Sequence, residues 1–211
     1  MRTLTIPLLL LSAVLPAAAQ KYEFGIGGGG SFYTSQQVKN PRGNADAGFN
    51  SGAAITAHFG HNTYRLIGGE IRYNYLRNDS RLEGTGGTAT MGGEAHVIHY
   101  DILVHTASNE NRVRPYFSFG GGVKLWRGTG AERVTQANSS TALLTKTSEH
   151  LGLISFGAGV KYRVTPKMAL RVDIRDYLTP FPREIIEPNV GSNVSGWLHN
   201  IVPTASLVFL W

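Results

Sequence analysis

The feature that most constrains the fold of this chain is a regular alternation of apolar and polar residues. In the run LRVDIRDY (residues 170–177), Leu170, Val172 and Ile174 alternate with Arg171, Asp173 and Arg175. A repeat of two residues is that of a β-strand, whose successive side chains point to opposite faces. Similar runs occupy residues 22–32, 53–59, 67–75, 98–105, 114–126, 154–163 and 201–211. Eight runs predict an all-β protein, and most have roughly the ten residues with which a tilted strand crosses a bilayer.

The charged residues within these runs share one face, opposite the large apolar residues. Two arrangements fit this pattern: the apolar face packs into the core of a soluble barrel, or it meets lipid while the charges line a closed interior. Because unpaired charges inside a barrel are costly, we predict that Glu70 and Asp173 pair with the cations of that face. The predicted lumen charge network comprises Glu70, Arg72, Asp101, Lys161, Arg171, Asp173 and Arg175.

The connections between the runs alternate in length. Long, polar connections follow the first, third, fifth and seventh runs, at residues 34–50, 77–93, 127–148 and 179–196. Short connections lie between them, at residues 60–64, 106–112 and 165–167. Outer-membrane barrels separate long external loops from tight periplasmic turns in this way. The lengths predict an eight-stranded antiparallel up-and-down transmembrane β-barrel with long extracellular loops and short periplasmic turns.

Aromatic residues fall into two bands along the predicted strands. The band near the short turns contains Tyr22, Phe24, Phe59, Tyr64, Phe117, Tyr162, Phe209 and Trp211. The band near the long loops contains Phe32, Tyr73, Tyr75, Phe181 and Trp197. Such bands, with aliphatic residues between them, are typical of the interfacial girdles of membrane barrels. They favour the arrangement in which the apolar face meets lipid.

The first twenty residues have the layout of a secretory signal peptide. Arg2 precedes an apolar run at residues 4–16, and Ala17–Ala19 offers the small residues that a signal peptidase reads. The run is shorter than the roughly 20 residues of a membrane-spanning helix. We therefore predict a signal peptide at residues 1–20, cleaved after Ala19 or Gln20, and one barrel domain at residues 21–211.

Composition excludes several classes of function. The chain has no cysteine, which excludes disulfides, thiolate metal sites and cysteine nucleophiles. Its net charge is +6, but the charges of the long connections nearly cancel, so no exposed basic patch for nucleic acid is predicted. Cations at the barrel rim would instead suit the anionic headgroups of lipopolysaccharide.

No cofactor or metal site is predicted. Residues 25–30 (GIGGGG) match a dinucleotide-binding fingerprint as text, but these glycines lie within a strand and do not open a helix. His58 and His61, like His96 and His99, are three residues apart, a spacing that points two strand side chains to opposite faces.

With these features the chain resembles the small eight-stranded outer-membrane barrels of the OmpA/OmpX type, the outer membrane protein beta-barrel domain group. The resemblance covers residues 21–211 and rests on YEFGIGGGGSFY, RPYFSFGGGVKLW, LRVDIRDY and the terminal TASLVFLW. It implies that the last strand carries the signal read by the barrel-assembly machinery, at Ala205, Leu207, Phe209 and Trp211. Tryptophan stands at the end where phenylalanine is commoner in the family, and we expect no peptidoglycan-binding domain after the barrel.

We predict a structural or surface-interaction role through four extracellular loops, with a filled lumen that conducts poorly or not at all, and no enzymatic activity. The alternatives are an outer-membrane lipid-modifying enzyme, a small porin and a soluble lipocalin-like binding barrel. His99, Asp101 and Ser118 are the residue types of a hydrolase triad, but no oxyanion donor or cleft accompanies them. The expected partners are outer-membrane lipids, lipopolysaccharide and, during insertion, the barrel-assembly machinery; we expect a monomer that binds no nucleic acid.

Overall fold

A computed structural model of the protein describes residues 21–41, 43–132 and 135–211. The predicted signal peptide at residues 1–20 lies outside these residues. Within them, eight long strands close into a barrel, and shorter strands form two small sheets. None of the described residues forms a helix that is long and apolar enough to cross a membrane.

The strands follow one another along the chain with short gaps. They are β1 (Tyr22–Tyr33), β2 (Gln36–Asn40), β3 (Gly43–Phe49), β4 (Gly52–His61), β5 (Ile67–Arg77), β6 (Ser80–Gly84), β7 (Gly87–Met91), β8 (Gly93–His105), β9 (Val113–Gly128), β10 (Ala142–Leu144), β11 (Ser148–Thr165), β12 (Met168–Pro180), β13 (Ile186–Pro188) and β14 (Trp197–Leu210). The barrel consists of β1, β4, β5, β8, β9, β11, β12 and β14, and each overlaps one predicted run.

Each barrel strand pairs antiparallel with the next barrel strand along the chain. The ring closes where β1 pairs with β14, in a register that sets Phe24 opposite Phe209. Closure removes the open strand edges, which is essential because no water in the bilayer core can satisfy them. The predicted eight-stranded antiparallel up-and-down barrel is confirmed.

Apolar side chains cover the outside of the barrel, and polar side chains fill its inside. On β12, Val172 is 63% exposed, whereas its neighbour Arg171 is 1% exposed. On β9, Phe117 is exposed and Tyr116 is buried. Soluble proteins bury apolar side chains and expose charged ones, whereas this barrel does the reverse. Such a surface requires hydrocarbon around the barrel. The alternative of a soluble lipocalin-like barrel is therefore wrong.

The long connections differ from the expectation that they are simply polar. Strands β2, β3, β6 and β7 form one sheet and β10 pairs with β13, so all four long connections contribute strands. We call these two sheets and the turns around them the extracellular head. The buried apolar residues of the head are Val38, Ala45, Ala47, Phe49, Leu82, Met91, Ala142, Leu144, Ile185, Ile186 and Val194. The head is thus a packed structure, and its apolar core continues into the adjoining end of the barrel, where Leu76 and Trp126 belong to the same cluster.

The aromatic bands are present on the outer surface, with one correction. The residues of the short-turn band are exposed, and Phe32, Tyr73 and Trp197 are exposed near the head. Phe181, which the sequence places in the second band, is only 4% exposed. It follows Pro180, the last residue of β12, and packs into the apolar cluster beneath the head, away from lipid.

Candidate functional site

The middle of the barrel holds a network of charged side chains from two opposite walls. Glu70 and Arg72 alternate on β5, and Arg171, Asp173 and Arg175 alternate on β12, so each set points inward. In the closed ring, three strands separate β5 from β12 on either side. Long side chains therefore meet across the full width of the lumen.

Arg72 and Asp173 form the most direct link between the two walls. The Nη1 and Nη2 atoms of Arg72 donate to Oδ1 and Oδ2 of Asp173, each at 3.0 Å. The Nε of the same guanidinium donates to Oε1 of Glu70 at 2.8 Å. A planar guanidinium suits a carboxylate through two parallel hydrogen bonds, which fix its orientation.

The other two arginines complete the network. Arg171 donates through Nε to Oδ2 of Asp173 at 2.8 Å, and through Nη1 and Nη2 to the Glu70 carboxylate. Arg175 donates to Oε1 of Glu70 at 3.3 Å and to Oδ2 of Asp101. All six side chains are fully buried, and three arginines face three carboxylates. The charges at the centre of the barrel therefore balance.

Neutral side chains also donate hydrogen bonds to the Asp173 carboxylate. The Tyr116 hydroxyl donates to Oδ2 of Asp173 at 3.0 Å and accepts from Nε of Arg171 at 2.6 Å. The Thr204 hydroxyl donates to Oδ1 of Asp173 at 3.1 Å. A Cβ at Gly159 would overlap both the Tyr116 hydroxyl and Cβ of Asp173. Glycine on the inward face therefore makes room for the network.

Lys161, one of the four cations predicted as alternative partners of Glu70 and Asp173, pairs instead with Glu23. Its Nζ donates to Oε1 of Glu23 at 2.5 Å, and Glu23 also accepts from the Asn62 amide at 3.1 Å. The pair lies nearer the short turns than Glu70 and Asp173, the predicted partners, because Lys161 is close to the end of β11. The sequence could have indicated Glu23 as a partner, because it is the charged residue on the inward face of β1.

Lys124 is a further inward cation, which the predicted lumen charge network does not include. Its Nζ donates to the Tyr33 hydroxyl at 2.8 Å and to Oδ1 of Asn200 at 2.7 Å, and lies 4.1 Å from the centre of the Trp126 ring. Among the described residues, no carboxylate forms a salt bridge with it. Lys124 is therefore stabilised by neutral oxygens and aromatic faces beneath the extracellular head.

The three residue types of a hydrolase triad do not assemble into one. Nδ1 of His99 lies 2.9 Å from Oδ1 of Asp101, but its Nε2 lies 3.1 Å from the Tyr177 hydroxyl. The Ser118 hydroxyl accepts from Arg175. Since a nucleophile must be within hydrogen-bond reach of its base, this arrangement supplies no activated serine.

One group of side chains has the composition of a metal site. The ligand-type atoms of Glu23, His58 and Glu70 lie within 4.8 Å of one another. Both carboxylates already neutralise buried cations, Lys161 for Glu23 and three arginines for Glu70. A dication would add charge to a balanced interior, which low dielectric makes unfavourable. We assign no metal to this group.

The residues of the predicted assembly signal lie on the outer face of the last strand. Ala205, Leu207 and Phe209 pair with Gly28, Ile26 and Phe24. Trp211 follows the end of β14, and its backbone N–H donates to the carbonyl of Tyr22 at 3.1 Å. Recognition of these residues by the assembly machinery stays a prediction.

Comparison with known proteins agrees with the architecture. The sequence matches the family described as outer membrane protein beta-barrel domain over residues 5–194. No curated protein matches the chain.

Several solved structures share the fold at low sequence identity. The outer membrane protein OprG from Pseudomonas aeruginosa is 11% identical with a TM-score of 0.60, over 91% of this chain and 97% of that one. The Neisserial surface protein NspA is 12% identical with a TM-score of 0.50, over 89% and 97%. The outer membrane protease OmpT from Escherichia coli is 8% identical with a TM-score of 0.51, over 92% and 97%. At these identities the likeness concerns the fold alone.

The network predicts a large loss of stability when Asp173 is neutralised. Asp173→Asn leaves three buried arginines with two carboxylates, and removing one partner of a buried ion pair costs about 3–5 kcal/mol. We expect this decrease in the free energy of unfolding, measured by equilibrium urea unfolding in lipid vesicles. Arg81→Gln, which removes the exposed ion pair of Arg81 with Glu83, should cost no more than about 1 kcal/mol. Equal, small losses in both variants would contradict a stabilising role for the network.

Proposed function

The chain belongs to the outer membrane protein beta-barrel domain family, and from this premise we propose that it serves as a structural and surface-interaction protein with a filled lumen. The protein lies in the outer membrane. Its contact surface is the extracellular head, and its interior transports no solute.

The observation that carries the proposal is the charge network across the lumen. Arg72, Arg171 and Arg175 join opposite walls through carboxylates, and their side chains are inaccessible to solvent. An eight-stranded barrel is only wide enough for its side chains to fill. An ion would have to break several charge-assisted hydrogen bonds to pass. The interior therefore supports a plug in preference to a small porin.

The extracellular head supports a role in surface interaction. Pairing of β3 with β6 joins the first two long connections, and pairing of β10 with β13 joins the last two. A surface that is ordered before binding loses less conformational entropy when a partner docks. The head thus offers a preorganised surface on a rigid barrel.

A role as a lipid-modifying enzyme is the alternative from another functional class. One histidine–carboxylate pair does face outward near the head: Nδ1 of His199 lies 2.7 Å from Oδ2 of Asp176. Such a pair could orient a general base, but no described serine or threonine hydroxyl hydrogen-bonds to Nε2 of His199. The proposal therefore includes no catalytic role.

A filled lumen predicts that the protein in planar lipid bilayers gives no resolvable conductance steps. The double variant Arg72→Ala/Asp173→Ala removes one opposing pair without changing net charge and should create a measurable conductance. The matched double variant Arg81→Ala/Glu83→Ala, in the head, should remain silent. Steps of equal size in the unmodified protein and in the lumen variant would contradict the filled lumen.

Exposure of the head predicts the pattern of proteolysis on intact cells. Trypsin should cut first within residues 127–148, where Lys146 is exposed, and Lys146→Gln should slow that cleavage. Arg112 and Lys167 are also exposed but belong to the short turns, so they should be cut only after the outer membrane is permeabilised. Mass spectrometry of the fragments identifies each site. Cleavage at Arg112 in intact cells would reverse the assigned orientation.

The absence of a catalytic role predicts no turnover of lipid by the purified protein. With radiolabelled phospholipid or lipid A in mixed micelles, thin-layer chromatography should show no product above protein-free micelles. His199→Ala and the matched variant His150→Ala should behave alike. Product formation that is lost in His199→Ala and kept in His150→Ala would favour the enzyme instead.

A further inference from the structure

The interior at the short-turn end of the barrel carries more cations than carboxylates. One cavity there is lined by four basic side chains, Arg112, Arg114, Lys161 and Arg163, and by one carboxylate, Glu23. Glu110 belongs to the adjacent turn but does not line the cavity. This cavity, the periplasmic mouth, lies at the opposite end of the barrel from the head.

The one carboxylate that lines the periplasmic mouth already has hydrogen-bond partners. Glu23 accepts from Lys161 at 2.5 Å and from the Asn62 amide at 3.1 Å. Arg112 and Arg163 donate to backbone carbonyls, Arg112 to that of Arg163 at 3.1 Å and Arg163 to those of the 106–112 turn. Within the described part of the chain, none of the three arginines forms a salt bridge with a carboxylate. Three positive charges therefore remain uncompensated around one cavity.

Arg114 has the least complete set of hydrogen bonds among the cations of the mouth. The residue is only 7% exposed. Its Nε and Nη1 make long hydrogen bonds of 3.4 Å to the Ala107 carbonyl and to Oδ1 of Asn62. Its Nη2 is buried and has no hydrogen-bond partner among the described residues. A buried cationic donor without an acceptor is costly, so an oxygen supplied by a ligand would satisfy it.

We propose that the periplasmic mouth binds one phosphate group. A phosphate offers several acceptor oxygens and up to two negative charges, which match guanidinium donors better than the single charge of a carboxylate does. The cavity runs from the exposed Arg112 and Asn111 to the buried Arg114, so the group has a way in from the periplasmic side.

Two sources could supply this phosphate: a phospholipid headgroup or a free phosphate in the periplasm. The surroundings of Arg112 suit a headgroup. Its guanidinium lies 5.0 Å from the centre of the Tyr162 ring, and Tyr162, Val113 and Val164 are exposed on the outer, lipid-facing wall. Arg112 thus joins the cavity to the membrane-facing surface, where the acyl chains of a bound lipid would lie.

The test measures binding to the purified full-length protein in detergent. Native mass spectrometry with phosphatidylglycerol, and separately with inorganic phosphate, should show one bound molecule of at least one of them. Diacylglycerol, which lacks the phosphate, should not be retained. Arg114→Gln should weaken binding by at least about tenfold, the loss expected for one charge-assisted hydrogen bond.

A second variant and a control separate binding from folding. Arg112→Gln changes an exposed side chain and should also weaken binding, while Arg81→Gln, in the head, should not. Heat-modifiable migration on a gel establishes that each variant is folded.

The outcomes distinguish the two sources of phosphate. Retention of phosphatidylglycerol that free phosphate does not displace assigns the site to a lipid headgroup, and displacement assigns it to free phosphate; both support the site. Failure of the unmodified protein to retain either probe would overturn the proposal. So would equal retention by folded Arg114→Gln and Arg112→Gln variants.

Discussion

The structure depends on one constraint: the arginines at the centre of the barrel, which the bilayer encloses, must be neutralised by carboxylates. Neither water nor lipid can solvate Arg72 or Arg171 inside the closed ring, so each needs a carboxylate at contact distance. Asp173 and Glu70 meet this need from opposite walls, with the bidentate bond of Arg72 to Asp173 spanning the lumen. The same bonds that balance charge therefore also tie the barrel wall across its width.

The number of strands sets the width of the lumen, and the inward side chains are long enough to span that width. With eight strands, Arg72 of one wall reaches Asp173 on the other. The Tyr116 hydroxyl fits beside Asp173 only because Gly159 has no Cβ. A wider ring would separate these groups and let water in. The filled interior is thus a consequence of strand number together with residue choice.

Alternation and connection length were enough to predict the strands, their order and their faces, because both features repeat in every strand. They were not enough to predict contacts across the lumen. Which residues of opposite walls meet depends on the stagger of the closed sheet, so Glu23 was missed as the partner of Lys161. The extracellular head was missed because its strands are short and pair between separate connections, as β3 does with β6.

The cations at the two ends of the lumen differ in how fully their hydrogen bonds are satisfied. This difference follows from what covers each end. Near the head, Lys124 is enclosed by Tyr33, Asn200 and Trp126, under the apolar cluster that Phe49 helps to form. At the other end the connections are tight turns, too short to build a comparable cover. The one carboxylate that lines this end, Glu23, already pairs with Lys161, so we infer that the Nη2 donor of Arg114, which has no partner among the described residues, takes its acceptor from a ligand.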